Sequence, residues 1–129
     1  PLVTFGEKIG VAFQLIDDVI DLDGDKTGKP KGTDVRNGVN TLPILGLRAA
    51  TDAESVALVA ELDAALAAPD AADFDSLIDR IKASRHTADT VAAAERWGAE
   101  AVAALDMLPN TLPTRALRRF ADRVLHREL

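Results

Sequence analysis

The sequence predicts an all-α fold on three observations. Alanine is abundant and aromatics make up only 4% of the 129 residues, a composition that favours helices over sheets. Apolar residues recur three and four apart along most of the chain instead of alternating. The interruptions fall at helix-breaking or helix-starting residues, so no stretch requires a strand.

The first element is one long helix over residues 2 to 23. Val3, Phe5, Ile9, Val11, Phe13, Leu15, Ile16, Val19, Ile20 and Leu22 surround it on nearly all sides, the pattern of a buried helix. The segment DGDKTGKPKGTDVRNGVNT follows as a loop rich in glycine, charge and turn formers. Structureless loops of that length are usually functional. This loop carries Lys26, Lys29, Lys31 and Arg36, and its lysines are expected to reach back over the first helix, toward an anion held there by a metal. Thr41 reads as a helix cap with Pro43 in the first turn, opening a short helix to about Ala50. Residues 53 to 67 place Val56, Val59, Leu62 and Leu66 at helical spacing, and Pro69 ends them. Phe74, Leu77, Ile78 and Ile81 form the stripe of another short helix. From His86 or Thr87 a longer helix runs to about Leu108, with Val91, Ala94, Gly98, Ala101, Leu105 and Leu108 on a seam suited to close helix packing. Pro109-Asn110-Thr111 breaks it, and a last helix to about Leu125 faces inward through Leu117, Phe120, Ala121, Val124 and Leu125.

Length and composition narrow the function. One domain with a real core is expected from 129 residues. The absence of cysteine excludes disulfides, thiolate catalysis and cysteine metal sites. A formal net charge of −6 without an arginine-rich face or aromatic platform argues against nucleic acid as a partner. No apolar run has the length of a membrane span or the pattern of a signal peptide, so a cytoplasmic protein without a stable membrane anchor is expected. The chain starts at Pro1 without methionine and enters a helix at once; the expectation is a piece of something longer.

Chemistry concentrates on the first helix. At about 100° per residue, Gly6, Gly10, Gln14, Asp17 and Asp21 share one narrow stripe, with Asp18 on its shoulder. Carboxylates in an apolar surround are costly unless a cation meets them, and no lysine or arginine occurs between Gly10 and Leu22. Gly6 and Gly10 leave room beside the helix. The expected arrangement is a cavity with a charged floor, for which a hard cation such as Mg²⁺ is the natural counter-ion. The competing reading is a solvated helix face paired with distant lysines.

Other motifs fail on their details. Asp21, Asp23 and Asp25 have the spacing of an EF-hand start, but Lys26 and Gly32 stand where glycine and glutamate are needed. GDKTGKPKGT is no P-loop, because Pro30 follows Lys29 and Asp23 replaces the first glycine. His86 and His126 are read as capping or surface residues, and Trp97, Phe74 and Phe120 as core. Arg118, Arg119, Arg123 and Arg127 are read as a solvated face with favourable charge near a helix end.

The full motif is Gly10, Gln14, Asp17, Asp18 and Asp21, then T-G-K at 27 to 29, G-T-D at 32 to 34 and N-G-V-N-T-L-P at 37 to 43. In it the chain resembles the trans-isoprenyl diphosphate synthases, or polyprenyl synthetases. The resemblance is specific over about residues 1 to 50 and extends in helical pattern to the closing ALRRFADRVLHREL. It implies the C-terminal part of the all-α isoprenoid synthase helical bundle, residues 1 to 129 being the C-terminal portion of a single domain. The family's first aspartate-rich motif would lie upstream. The implied activity is Mg²⁺-dependent condensation of an allylic diphosphate with isopentenyl diphosphate to a polyprenyl diphosphate, carried out by a homodimer in the full-length protein. Asp17, Asp18 and Asp21 match the second aspartate-rich motif as metal ligands. Gln14 and Lys29 match diphosphate contacts, Phe13 is counted with the substrate-binding residues, and Asp17 and Lys29 are the expected catalytic pair. The portion by itself is expected to have little activity. The alternative is a non-catalytic partner or regulatory subunit of a heteromeric synthase.

Overall fold

The computed structural model describes residues 1–24 and 30–127. All regular structure among these is helical: α1 (Leu2–Asp21), α2 (Thr33–Arg36), α3 (Leu42–Ala49), α4 (Ala53–Ala67), α5 (Phe74–Ala83), α6 (Arg85–Leu105) and α7 (Leu112–Leu125), with a single 3₁₀ turn at Pro69–Ala71. Three boundaries differ from expectation. The first helix ends at Asp21 rather than at residue 23. The loop after α1 is not structureless throughout, since α2 forms within it. The sixth helix starts at Arg85 and stops at Leu105, short of Leu108, where the amides of Asp106 and Leu108 bond back to Ala103 and Leu105 in tighter i−3 turns.

The chain divides into two compact units, Pro1–Asp17 with Val91–Leu129, and Asp18–Thr90. The first is built on Phe5, Ile9 and Ala12 of α1, Ala101 and Leu105 of α6, and Ala121 and Val124 of α7. Its alanines are wholly buried, which brings helix backbones close together. Gly98 extends the seam as its spacing predicts, for a β-carbon there would run into the Leu125 side chain. Two aromatic expectations are corrected. Phe120 is 52% exposed, because α7 turns Ala121 and Val124 inward and leaves Phe120 beside that face. Trp97 is partly exposed, with the Lys8 ammonium 5.1 Å above its ring.

The second unit closes α3, α4 and α5 over Leu22 and Val35, its core including Ile44, Leu47, Leu58, Leu62, Phe74, Leu77, Ile78 and Ile81. Val56 is half exposed rather than part of that stripe. Asp52 and Asp73 cap α4 and α5, accepting from the amides of Ser55 (3.0 Å) and Ser76 (3.1 Å). His86, expected at the surface or in a cap, is instead buried. Its Nε2 lies 3.0 Å from Ser55 Oγ, and its ring packs where a β-carbon on Gly46 would stand 2.9 Å from Nδ1. His126 does sit at a helix end, as the C-cap of α7.

The loop returns onto the end of α1 through Gly32. This residue takes φ +71° in the left-handed region, and its amide donates to the Asp21 carbonyl at 2.6 Å. A β-carbon there would overlap the Ile78 side chain.

Candidate functional site

Helix α1 has two faces. Phe5, Ile9, Ala12 and Ile16 are buried. On the other side Val3, Gly6, Gly10, Phe13, Gln14 and Asp17 are all exposed and lie within a stripe of about 100° at helical spacing. The expectation of a helix buried all round is thereby corrected, since the described elements pack against one side of it only. The open space predicted beside the two glycines is present: a β-carbon on Gly6 or Gly10 would have nothing within 4 Å.

The three acidic residues of the motif go in different directions. Asp17 is half-exposed, and the Arg127 guanidinium stands 3.9 Å from its Oδ1. Asp18 is only 8% exposed; its Oδ2 accepts from the Leu42 amide at 3.2 Å. Thr41 does hold the N-cap position of α3, but its side chain makes no capping bond, and its hydroxyl is buried without a partner among the described residues. Asp18 instead satisfies the first amide of the helix, one of those that have no intrahelical partner. Asp21 accepts from the Asp34 amide with both oxygens, at 3.3 and 3.2 Å, and so ties G-T-D to the end of α1. Among the described residues no three histidine, cysteine, aspartate or glutamate side chains converge as a metal-binding group.

Of the loop's lysines the described one, Lys31, turns elsewhere than expected. Lys31 pairs with Asp79 at 2.7 Å and Arg36 with Asp75 at 2.6 Å, both on α5. The Asp79 carboxylate holds the Lys31 ammonium above its ordinary range. Asp23, next to the acidic motif, is bonded by Lys82. Lys26 and Lys29, the latter expected to contact diphosphate, lie outside the described residues.

Arg127 is the site residue that periodicity misses. Its helical spacing puts it on a solvated face, yet its guanidinium lies 4.0 Å from the centre of the Phe13 ring. Its Nη2 donates to the Phe13 carbonyl at 2.8 Å. No local pattern in H-R-E-L announces this, because the contact joins residues 114 apart. Phe13, expected to meet substrate, thus carries a cation on one ring face while remaining 44% exposed.

The polyprenyl synthetase family model matches residues 1–79. Nonaprenyl diphosphate synthase of Mycobacterium tuberculosis is 37% identical over 131 residues, 98% of this chain and 38% of that protein. Heptaprenyl diphosphate synthase component 2 of Geobacillus stearothermophilus is 33% identical over 122 residues, covering 93% of this chain and 37% of that protein. The crystal structure of heptaprenyl diphosphate synthase from Staphylococcus aureus superposes with a TM-score of 0.79 at 26% identity, over 98% of this chain and 39% of that one. The chain therefore spans somewhat under two fifths of the length of these relatives.

Proposed function

Because this chain belongs to the polyprenyl synthetase family, we propose that it is the C-terminal portion of a trans-prenyl diphosphate synthase. The full protein would join an allylic diphosphate to isopentenyl diphosphate with the help of Mg²⁺. The observation that carries the reading is the open face of α1. Asp17 is presented there on the same stripe as Gly6 and Gly10, whose missing side chains leave space for a ligand. An oxygen-only donor set of this kind suits Mg²⁺, which is commonly held by one or two carboxylates together with waters and substrate phosphates.

The acidic residues then divide the work. Asp17 has the accessible carboxylate and would hold the metal directly. Asp18 and Asp21 complete the acidic motif and are assigned beside the metal by their motif positions. Each is also oriented by a backbone amide, of Leu42 and Asp34 respectively. When bound, the metal would stabilise the negative charge that develops on the departing diphosphate. Gln14, exposed on the same face, would hydrogen-bond that diphosphate, and Lys29 is assigned there by its motif position. Val3 and Phe13 supply apolar surface along the stripe, suited to a hydrocarbon chain and to excluding water from a carbocation. A homodimer in the full-length protein and a cytoplasmic location belong to the same proposal. The chain alone would have little activity, because the family's first aspartate-rich motif is not in it. The second reading, a subunit of a heteromeric synthase, is supported by the relative named as component 2 of its enzyme.

The test is turnover of isopentenyl and allylic diphosphates by the full-length protein carrying this sequence, with Mg²⁺ and with chelator. Asp17→Ala is expected to lower kcat by about a hundredfold or more, the usual scale for losing a group that stabilises transition-state charge. Near-normal turnover by that variant, or full turnover by the 129-residue chain alone, would overturn the assignment.

A further inference from the structure

Arg127 is fastened where a free surface arginine would not be. Its guanidinium is stacked on the Phe13 ring at 4.0 Å, and Nη2 donates to the Phe13 carbonyl at 2.8 Å. Its Nε is buried without a partner among the described residues. These contacts hold the group one helical turn from Asp17, because residues four apart are neighbours along a helix. The remaining nitrogen, Nη1, is 3.9 Å from Asp17 Oδ1. That is an ion pair without a tight bidentate bond, formed by a carboxylate whose side chain is 51% exposed. Such pairs contribute little to folding. An arginine cannot release its charge at physiological pH, so the positive potential beside Asp17 is permanent.

We propose that Arg127 is a positioning residue that acts as the standing counter-ion of Asp17 and limits how tightly that carboxylate takes a divalent cation. The inference rests on the reading of Asp17 as a metal ligand. Phe13 and its carbonyl fix the distance. A cation arriving at Asp17 meets a carboxylate already partly neutralised and a guanidinium that does not move away freely. The consequence is a metal affinity set by the C-terminal segment as well as by the acidic motif. Cation occupancy and the seating of residue 127 on α1 are therefore coupled, each weakening the other by the same factor. Lysine at position 127 keeps the charge but lacks the planar group that both stacks and donates; methionine keeps a stem of similar length and loses the charge.

The experiment is a titration of the full-length protein with Mn²⁺ alone, following the free-ion electron paramagnetic resonance signal at low and at high KCl. Mn²⁺ shares the preference of Mg²⁺ for oxygen ligands. Arg127→Met is expected to tighten Mn²⁺ binding about tenfold at low salt, the effect of one unit charge on a divalent ion about 6 Å away in a water-like dielectric. The difference should shrink at high salt as screening sets in. Arg127→Lys should stay within about twofold of the unsubstituted protein. A purely structural staple would weaken binding or leave it unchanged when removed, and either result for Arg127→Met overturns the inference. Asp17→Asn is the reference: weak binding by it together with unaltered binding by Arg127→Met refutes the counter-ion alone. Unaltered binding by Asp17→Asn refutes the ligand assignment and the inference with it. Should Arg127→Met fail to fold, Arg127→Gln is read by the same criteria.

Discussion

Asp17 and Asp18 are adjacent in sequence, and their substitution should have unequal consequences for stability. Removing the Asp18 carboxylate takes away the acceptor that caps the first turn of α3, at 3.2 Å from the Leu42 amide. That amide is then left without its partner in a part-buried setting. A hydrogen bond to a charged group contributes about 1.5–3 kcal/mol, and loss of a helix cap costs about 0.5–2 kcal/mol. These describe one interaction seen in two ways, so Asp18→Ala is expected to cost about 2 kcal/mol. Asp18→Asn retains an oxygen acceptor and loses the charge, for roughly half that cost, since charge-assisted bonds are about twice as strong as neutral ones. Asp17→Ala removes only a half-exposed pair at 3.9 Å, which places its cost at about 0–1 kcal/mol. Urea unfolding followed by far-ultraviolet circular dichroism, with linear extrapolation to water, measures all three. The reasoning fails if Asp18→Ala costs less than about 0.5 kcal/mol, or if Asp17→Ala costs as much as Asp18→Ala. The result also governs how activity data are read, because lost turnover in an Asp18 variant then carries a folding component that an Asp17 variant lacks.

Gly32→Ala is expected to destabilise by about 2–5 kcal/mol in the same unfolding assay. The left-handed φ of +71° accounts for about 1–2 kcal/mol, and overlap with Ile78 for about 1–3 kcal/mol more; a loss below about 1 kcal/mol would show that the turn relaxes. Acid should destabilise the protein through Asp52 and Asp63. The Ser55 amide chiefly, with Arg85 assisting, holds the Asp52 carboxyl below its ordinary 3.8, and Arg48 does the same for Asp63. A lowered folded-state value favours the ionised form, so this stabilisation is present above about pH 4 and is lost as pH falls through the lowered values. Melting temperatures between pH 6 and 2.5 should therefore fall on the acid side, with a shallower fall for Asp52→Asn. Equal slopes for the two proteins would remove Asp52 from the account.

The helices and the acidic motif were readable because both depend on spacing within about four residues. Leu77, Ile78 and Ile81 repeat at helical intervals and are buried together; Gly98 stands on its seam because a side chain there would meet Leu125. What escaped depends on a partner far along the chain. His86 became core only through Ser55 and the missing side chain of Gly46. Asp18 came to hold the first amide of a helix that starts 24 residues later. Arg127 left its solvated face for Phe13 across 114 residues. In each case a polar group found its partner across the fold and thereby changed its role, whereas most apolar stripe residues kept theirs, Phe120, Val56 and the exposed edge of α1 at Val3 and Phe13 excepted. A hydrophobic contact tolerates any apolar neighbour, but a buried hydrogen bond requires one particular atom. The acidic motif shows both behaviours at once. Its helical spacing places Asp17 and Asp18 on one turn and Asp21 on the next, while the amides of Leu42 and Asp34 and the guanidinium of Arg127 draw the three carboxylates to different partners.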